Sequence, residues 1–195
     1  MEIKSFAQNY LDNLKAAIDG IDLDELAKVA DAITTAYQGE RQIFILGNGG
    51  SASTASHMAC DLGKGTLMNR YDTKEKRYRV IALTDNIPLM TAYANDLSYE
   101  DIFSQQLRNL VQKDDLVIAI SASGNSPNVI KAVDVAQEAK AIVIGFSGFT
   151  GGKLLEKSDI CLHVNQKHYG RVEDLHLVFD HLLTEFLSSL KEKEA

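Results

Sequence analysis

Four short, nearly uninterrupted apolar runs constrain this chain most: Ile43-Phe44-Ile45-Leu46, Val80-Ile81-Ala82-Leu83, Leu116-Val117-Ile118-Ala119-Ile120 and Ala141-Ile142-Val143-Ile144-Gly145. Each is too short for an ordinary helix, and each is rich in β-branched residues, which favour the pleated backbone. Apolar residues at consecutive positions, rather than alternate ones, imply strands covered on both faces, as in a parallel sheet. A fifth run, Ile160-Cys161-Leu162-His163-Val164, reads as an edge strand. Between the runs lie segments of helical pattern, at about 51 to 64, 87 to 110, 126 to 138 and 151 to 157. Two helices lead the chain, one with Phe6, Tyr10, Leu11, Leu14 and Ile18 at helical spacing, the next with Leu26, Val29, Ala30 and Ile33. A long final helix is expected from about 171 to 190. Strand–helix alternation of this kind predicts an α/β fold: an open, doubly wound, parallel five-stranded sheet with helices on both faces. At 195 residues the whole chain, 1 to 195, reads as a single domain.

In such sheets ligands bind beyond the carboxyl ends of the strands, where strand order reverses. The loops at those ends are therefore the places to search for chemistry. After the first strand comes Gly47-Asn48-Gly49-Gly50-Ser51-Ala52-Ser53, running straight into a helix. Glycines let the backbone turn tightly and approach an anion, and Ser51 or Ser53 can cap the helix. After the third strand comes Ser121-Ala122-Ser123-Gly124-Asn125-Ser126-Pro127-Asn128, again leading into a helix. Two such loops offer hydroxyls and helix N-termini to one small volume. Neither loop contains a lysine or matches a nucleotide-binding fingerprint, so a single phosphate on a sugar fits better than a polyphosphate.

The formal net charge of −7 makes a nucleic-acid partner unlike this chain, because phosphate neutralisation needs clustered Lys and Arg. An anionic substrate must then be held by local backbone N–H groups and hydroxyls rather than by the field of the whole molecule. The two cysteines, Cys60 and Cys161, lie in apolar, element-like stretches, which suits a reducing, cytoplasmic setting. The N-terminus is polar, and no run of about 18 apolar residues suggests a membrane span.

A second group of residues can bind metal or move protons. His57 and Asp61 are four apart in a predicted helix and share a face, so an imidazole and a carboxylate can reach one ion or one substrate. Glu173 and His181 lie in the final helix. Eight residues of helix rise about 12 Å, so either Glu173 stands at a bent helix start or different subunits supply the ligands. Asn95 and Asp96, with Thr84-Asp85-Asn86 after the second strand, can reach substrate hydroxyls, although a helix N-cap is the commoner role for Asp85 or Asn86.

Taken in order, Gly47-Asn48-Gly49-Gly50-Ser51, Asn95-Asp96, Ser121-x-Ser123-Gly124-Asn125-Ser126 and Arg171-x-Glu173-x-x-His176-x(4)-His181 resemble the sugar isomerase (SIS) domain of the phosphoheptose isomerases. The resemblance covers essentially the whole chain. It implies an aldose–ketose isomerase converting sedoheptulose 7-phosphate to a heptose 7-phosphate, a homotetramer with zinc near subunit boundaries. It implies substrate contacts from Asn48, Gly49, Gly50, Ser51, Asn95, Asp96, Ser121, Ala122, Ser123 and Ser126, together with Asp61 and Glu173. It implies zinc ligands His57, Asp61, Glu173 and His181, and catalytic roles for Asp61 or Glu173 as base and His181 as proton shuttle. The chain departs from the family pattern at Asp61, where a glutamate is usual, at Glu173, where a glutamine is usual, and at Gly63-Lys64-Gly65, where an arginine is usual. A shorter base implies an altered sugar preference or a transfer of the base role to Glu173. Two rival readings are an isomerase for another phosphosugar and a non-catalytic SIS regulator that binds a replication initiator protein.

Overall fold

The computed structural model describes residues 2–194, with the side chain of Glu194 not described. Two helices, α1 (Ile3–Asp19) and α2 (Leu23–Gln38), precede strand β1 (Gln42–Gly47) and helix α3 (Gly50–Cys60), which continues into a π-helical turn, Asp61–Gly65. Then follow β2 (Arg79–Ala82), α4 (Ile87–Asp96), a 3₁₀ turn at Tyr99–Asp101, α5 (Ser104–Leu110), β3 (Leu116–Ser121) and α6 (Pro127–Glu138). The chain closes with β4 (Ile142–Gly148), α7 (Gly152–Lys157), β5 (Ile160–Val164) and α8 (Tyr169–Glu194).

All five strands are parallel, in the order β2-β1-β3-β4-β5. Order reverses between β1 and β3, so the two serine- and glycine-rich loops flank the switch point of a doubly wound sheet. Strand alternation explains how one apolar run serves two faces. Ile43, Ile45, Ile118, Ile120, Ile144 and Phe146 turn toward α2, α3 and α8, where they meet Val29, Met58, Leu175 and Phe179. Phe44, Leu46, Val117, Ala119 and Val143 turn the other way, against Leu107, Val129, Val133 and Leu154.

Boundaries shift where side chains, not periodicity, decide them. The helix expected over 51 to 64 widens into the π turn at Asp61, where glycines at 63 and 65 weaken the regular ladder. The segment expected as one helix over 87 to 110 breaks at Leu97 (φ −122°, ψ −94°). Beyond the break, Ser98 Oγ donates to Asp101 Oδ2 at 2.7 Å and Lys131 Nζ pairs with Asp101 at 2.6 Å, fixing the 3₁₀ turn against α6. Strand β4 runs three residues past expectation because β5 pairs with it as far as Gly148↔Val164.

Candidate active site

Helices α3 and α8 lie side by side, and their contacts advance in the same direction. Gly50 at the start of α3 meets Glu173 in the first turn of α8, and His57 meets His181 two turns later. Two polar centres result, separated along the helices by seven or eight residues, or about 11 Å.

The first centre is the cleft between the strand-end loops. It encloses about 180 Å³ and is lined by Asn48, Ser51, Ile120, Ser121, Ala122, Ser123, Ser126, Tyr169 and Glu173. Asn48 Nδ2 donates to Asn128 Oδ1 at 2.8 Å, while Asn128 Nδ2 donates back to Asn48 Oδ1 at 2.8 Å. Tyr99 Oη also donates to Asn48 Oδ1, at 3.1 Å. This reciprocal amide pair bridges the switch point and fixes the first loop relative to α6. Ser121 Oγ and Ser126 Oγ lie 3.1 Å apart, and Ser123 Oγ accepts from Asn125 N at 3.2 Å. Gly124, at φ +67°, has the Gly151 carbonyl where a Cβ would stand, and its own carbonyl accepts from Leu154 N at 2.9 Å. The serine loop is thus held by α7 and needs glycine at that position. Gly50 is needed for a different reason: a Cβ there would come within 2.9 Å of Glu173 Oε2.

The second centre lies where α3 enters its π turn. His57 Nε2 and His181 Nε2 are 3.0 Å apart, and His57 Nε2 lies 3.3 Å from Asp61 Oδ2. Asp180 completes the group: one ligand atom from each of His57, Asp61, Asp180 and His181 lies within 4.8 Å of the others. Both histidines are exposed, Asp61 is half-buried, and Asp180 is fully buried. Burial, and then the neighbouring Asp61 carboxylate, push the Asp180 carboxyl up to about 7. A groove of about 390 Å³ runs from Asp61 and His181 past Gly65 and Thr184 along α8.

Convergent imidazole nitrogens, two carboxylates and the partnerless buried Oδ2 of Asp180 suit a divalent ion such as zinc.

Of the residues expected from the sequence, Asn48, Ser51, Ser121, Ala122, Ser123, Ser126 and Glu173 meet in the cleft. Gly49 and Gly50 stand exposed at the N-terminus of α3, just outside the cleft lining. Asn95 and Asp96 sit on the exposed last turn of α4, where Asn95 Nδ2 donates to Asp96 Oδ1 at 2.9 Å. His57, Asp61 and His181 come together, but within this chain Glu173 is not brought to them; it faces the cleft instead. Asn86, not Asp85, caps α4 through Leu89 N at 3.2 Å, and Asp85 accepts from Ser56 Oγ. His176 is fully buried, its Nε2 3.2 Å from the Ser147 carbonyl, and burial lowers it to about 4. It belongs to the core, not to either centre. Sequence reasoning missed Asp180, Asn128, Tyr99 and Tyr169. Only Asn128 carried a signal, one residue beyond the Ser126-Pro127 helix start.

Residues 8–148 match the family model described as the SIS domain. The chain is 36% identical over 185 residues to the phosphoheptose isomerase of Aneurinibacillus thermoaerophilus, covering 93% of this chain and 89% of the relative. It is 38% identical over 164 residues to that of Helicobacter hepaticus, covering 84% and 81%. The chain belongs to the phosphoheptose isomerase family. The solved phosphoheptose isomerase of Neisseria gonorrhoeae superposes with a TM-score of 0.87 at 27% identity, over 96% of this chain and all of that one. Family membership and topology agree on an SIS fold.

Proposed function

We propose that the protein is an aldose–ketose isomerase acting on sedoheptulose 7-phosphate to give D-glycero-D-manno-heptose 7-phosphate. The observation that carries this reading is the parallel α3/α8 pair, which sets a serine-lined cleft about two helical turns from the His57–Asp61–His181 cluster. An extended seven-carbon chain with its phosphate spans about 10 Å at ordinary bond lengths, which suits that separation. The names of the relatives supply the reaction class: each is a phosphoheptose isomerase.

Ser121, Ser123, Ser126 and the N-terminus of α6 receive the phosphate, since hydroxyls and helix N–H groups bind anions without a lysine. Asn48, clamped by Asn128 and Tyr99, and the Glu173 carboxylate hold sugar hydroxyls. His57 and His181, with a carboxylate of their cluster, are the residues that would hold zinc. Bound there, the ion supplies a Lewis acid for the sugar carbonyl. Asp61, solvent-accessible beside His57 and at the mouth of the groove, takes the proton from the carbon next to the carbonyl. His181 moves the proton between the two oxygens of the enediol.

No described helix is long and apolar enough to cross a membrane. A cytoplasmic setting agrees with that and with two free cysteines. Exposed Phe6 and Leu11 on α1, and Leu182 and Phe186 on α8, support assembly into a homotetramer.

The test is incubation of zinc-loaded protein with sedoheptulose 7-phosphate in deuterated buffer, followed by proton NMR. Aldose carrying solvent deuterium at carbon is expected, and Asp61→Asn should slow its formation by about 10²- to 10⁴-fold. Absence of exchange with metal bound would remove the heptose reading in favour of another phosphosugar or a regulator.

A further inference from the structure

Asn48 lines the cleft with most of its hydrogen-bonding capacity already used inside the protein. A side-chain amide has two N–H donors and an oxygen with two lone pairs. Both lone pairs of Asn48 Oδ1 are taken, one by Asn128 Nδ2 at 2.8 Å and one by Tyr99 Oη at 3.1 Å. One Nδ2 hydrogen goes to Asn128 Oδ1 at 2.8 Å, and the other has no partner among the described residues. Inverting this pattern would require both amides to turn over together. The backbone opposes that: Val129 N, 2.9 Å from Asn128 Oδ1, can only donate, so the oxygen of Asn128 must face it. Asn128 is 2% exposed, so water cannot replace a lost partner there. Tyr99 stands in the 3₁₀ turn that Lys131 of α6 holds through Asp101, at 2.6 Å. Neither Asn128 nor Tyr99 lines the cleft, so both can act on a ligand only through Asn48.

We propose that Asn128 and Tyr99 are positioning residues that fix the Asn48 amide as a donor only, so that position 48 recognises an acceptor oxygen of the sugar phosphate and accepts nothing from it. This deepens the isomerase reading and rests on it for the identity of the ligand. The order of control runs from the backbone outward: the Val129 N–H fixes Asn128, Asn128 fixes Asn48, and Tyr99 fills the last lone pair. What remains for a ligand is a single N–H beside the hydroxyls of Ser121, Ser123 and Ser126. Glu173, on the same cleft, offers the opposite chemistry when ionised, since a carboxylate only accepts. A sugar phosphate therefore meets a fixed donor at position 48 and a fixed acceptor at position 173, which selects how its chain of oxygens and hydroxyls lies in the cleft.

Isothermal titration of the intact protein with sedoheptulose 7-phosphate and, separately, fructose 6-phosphate tests this, with circular dichroism checking the fold of each variant. Tyr99→Phe, at an exposed position, and Asn128→Ala should each weaken binding about two- to tenfold, the effect of one ordinary hydrogen bond. Asn48→Asp keeps the shape but loses the donor, and should weaken binding at least as much as Asn48→Ala. In the Asn48→Ala background, adding Tyr99→Phe or Asn128→Ala should change affinity by less than about twofold, even where Asn128→Ala lowers the melting temperature. A merely structural role would carry the same loss of affinity into both backgrounds, and that result overturns the proposal. Unchanged affinity in Tyr99→Phe and Asn128→Ala overturns it too, as does parent-like binding by Asn48→Asp, which would mean that position 48 accepts from the sugar. A parent protein that binds neither sugar phosphate leaves the donor without a ligand and equally overturns it. The expected responses with fructose 6-phosphate alone keep the positioning role and remove the heptose reading. The same responses without deuterium exchange in either sugar keep the positioning role and remove the isomerase.

Discussion

The contact between Gly50 and Glu173 ties backbone geometry to the position of a cleft carboxylate at the level of single atoms. A methyl group at position 50 would sit 2.9 Å from Glu173 Oε2, closer than carbon and oxygen approach without displacement. The carboxylate is the far end of a flexible side chain, so it moves rather than unfolding the protein. If Glu173 holds sugar hydroxyls as proposed, Gly50→Ala should keep the fold but swing the carboxylate away from them. Hydrogen bonds to a charged group contribute about 1.5–3 kcal/mol, so kcat/KM should fall by about tenfold or more. Steady-state kinetics beside a thermal melt would check it. An unchanged kcat/KM in Gly50→Ala means Glu173 makes no substrate contact. Asp180 makes a complementary point about legibility. In the sequence, Phe179-Asp180-His181 reads as an acidic position on an amphipathic helix, and nothing local says that this carboxylate is fully buried. Its environment is created by α3 packing across α8, a contact between residues more than a hundred positions apart.

At the scale of elements, α8 carries Glu173 and the Asp180–His181 pair, so its anchorage matters. Its last turns are tied to the 66 to 78 loop by Lys191, whose Nζ lies 2.7 Å from Glu75 Oε1 and 3.3 Å from the Lys76 carbonyl. Glu75 also accepts from Met68 N at 2.9 Å and Asn69 N at 3.0 Å. The Lys191 bond first, and then the two backbone donors, lower the Glu75 carboxyl to about 2. A carboxyl lowered in the folded state stabilises fully above its ordinary value and loses that contribution as pH falls toward its folded value. The melting temperature should accordingly decline from about pH 4.5 down to 2, and Glu75→Gln should flatten that decline. At neutral pH Lys191→Met should lower it by about 5 °C. An equally steep acid decline in Glu75→Gln would show that other carboxyls govern it. The apolar runs made the five strands legible, because burial on both faces leaves no room for polar residues. The break at Leu97 was not legible: residues 87 to 110 keep a helical pattern, and the turn is set by Asp101 meeting Lys131 of a later helix.

For the whole molecule, the sequence order of strands already placed the two serine- and glycine-rich loops, since alternation implied a parallel sheet and a parallel sheet implies a switch point. What alternation could not supply is how copies of the chain meet. The apolar pattern of α1 exceeds what one protomer uses: Leu14 and Ala17 pack inward, yet Phe6, Leu11 and Ile18 remain 51%, 49% and 44% exposed. On α8, Val178, Leu182 and Phe186 recur every four residues and form an outward stripe, 38%, 41% and 44% exposed. Large apolar side chains aligned on one helix face mark an interaction surface rather than ordinary scatter. The stripe begins three residues before His181, so a second copy seated there would approach the His57–Asp61–His181 cluster and wall the groove. If the protein is a homotetramer, Leu182→Asp with Phe186→Asp should yield smaller species in sedimentation equilibrium, with the circular dichroism of the folded chain retained. Because desolvated carboxylates oppose such a contact, dissociation should be nearly complete at micromolar concentration. A parent protein that sediments as a monomer, or a double variant that remains tetrameric, removes this stripe from the interface and leaves each active site to be completed within its own chain.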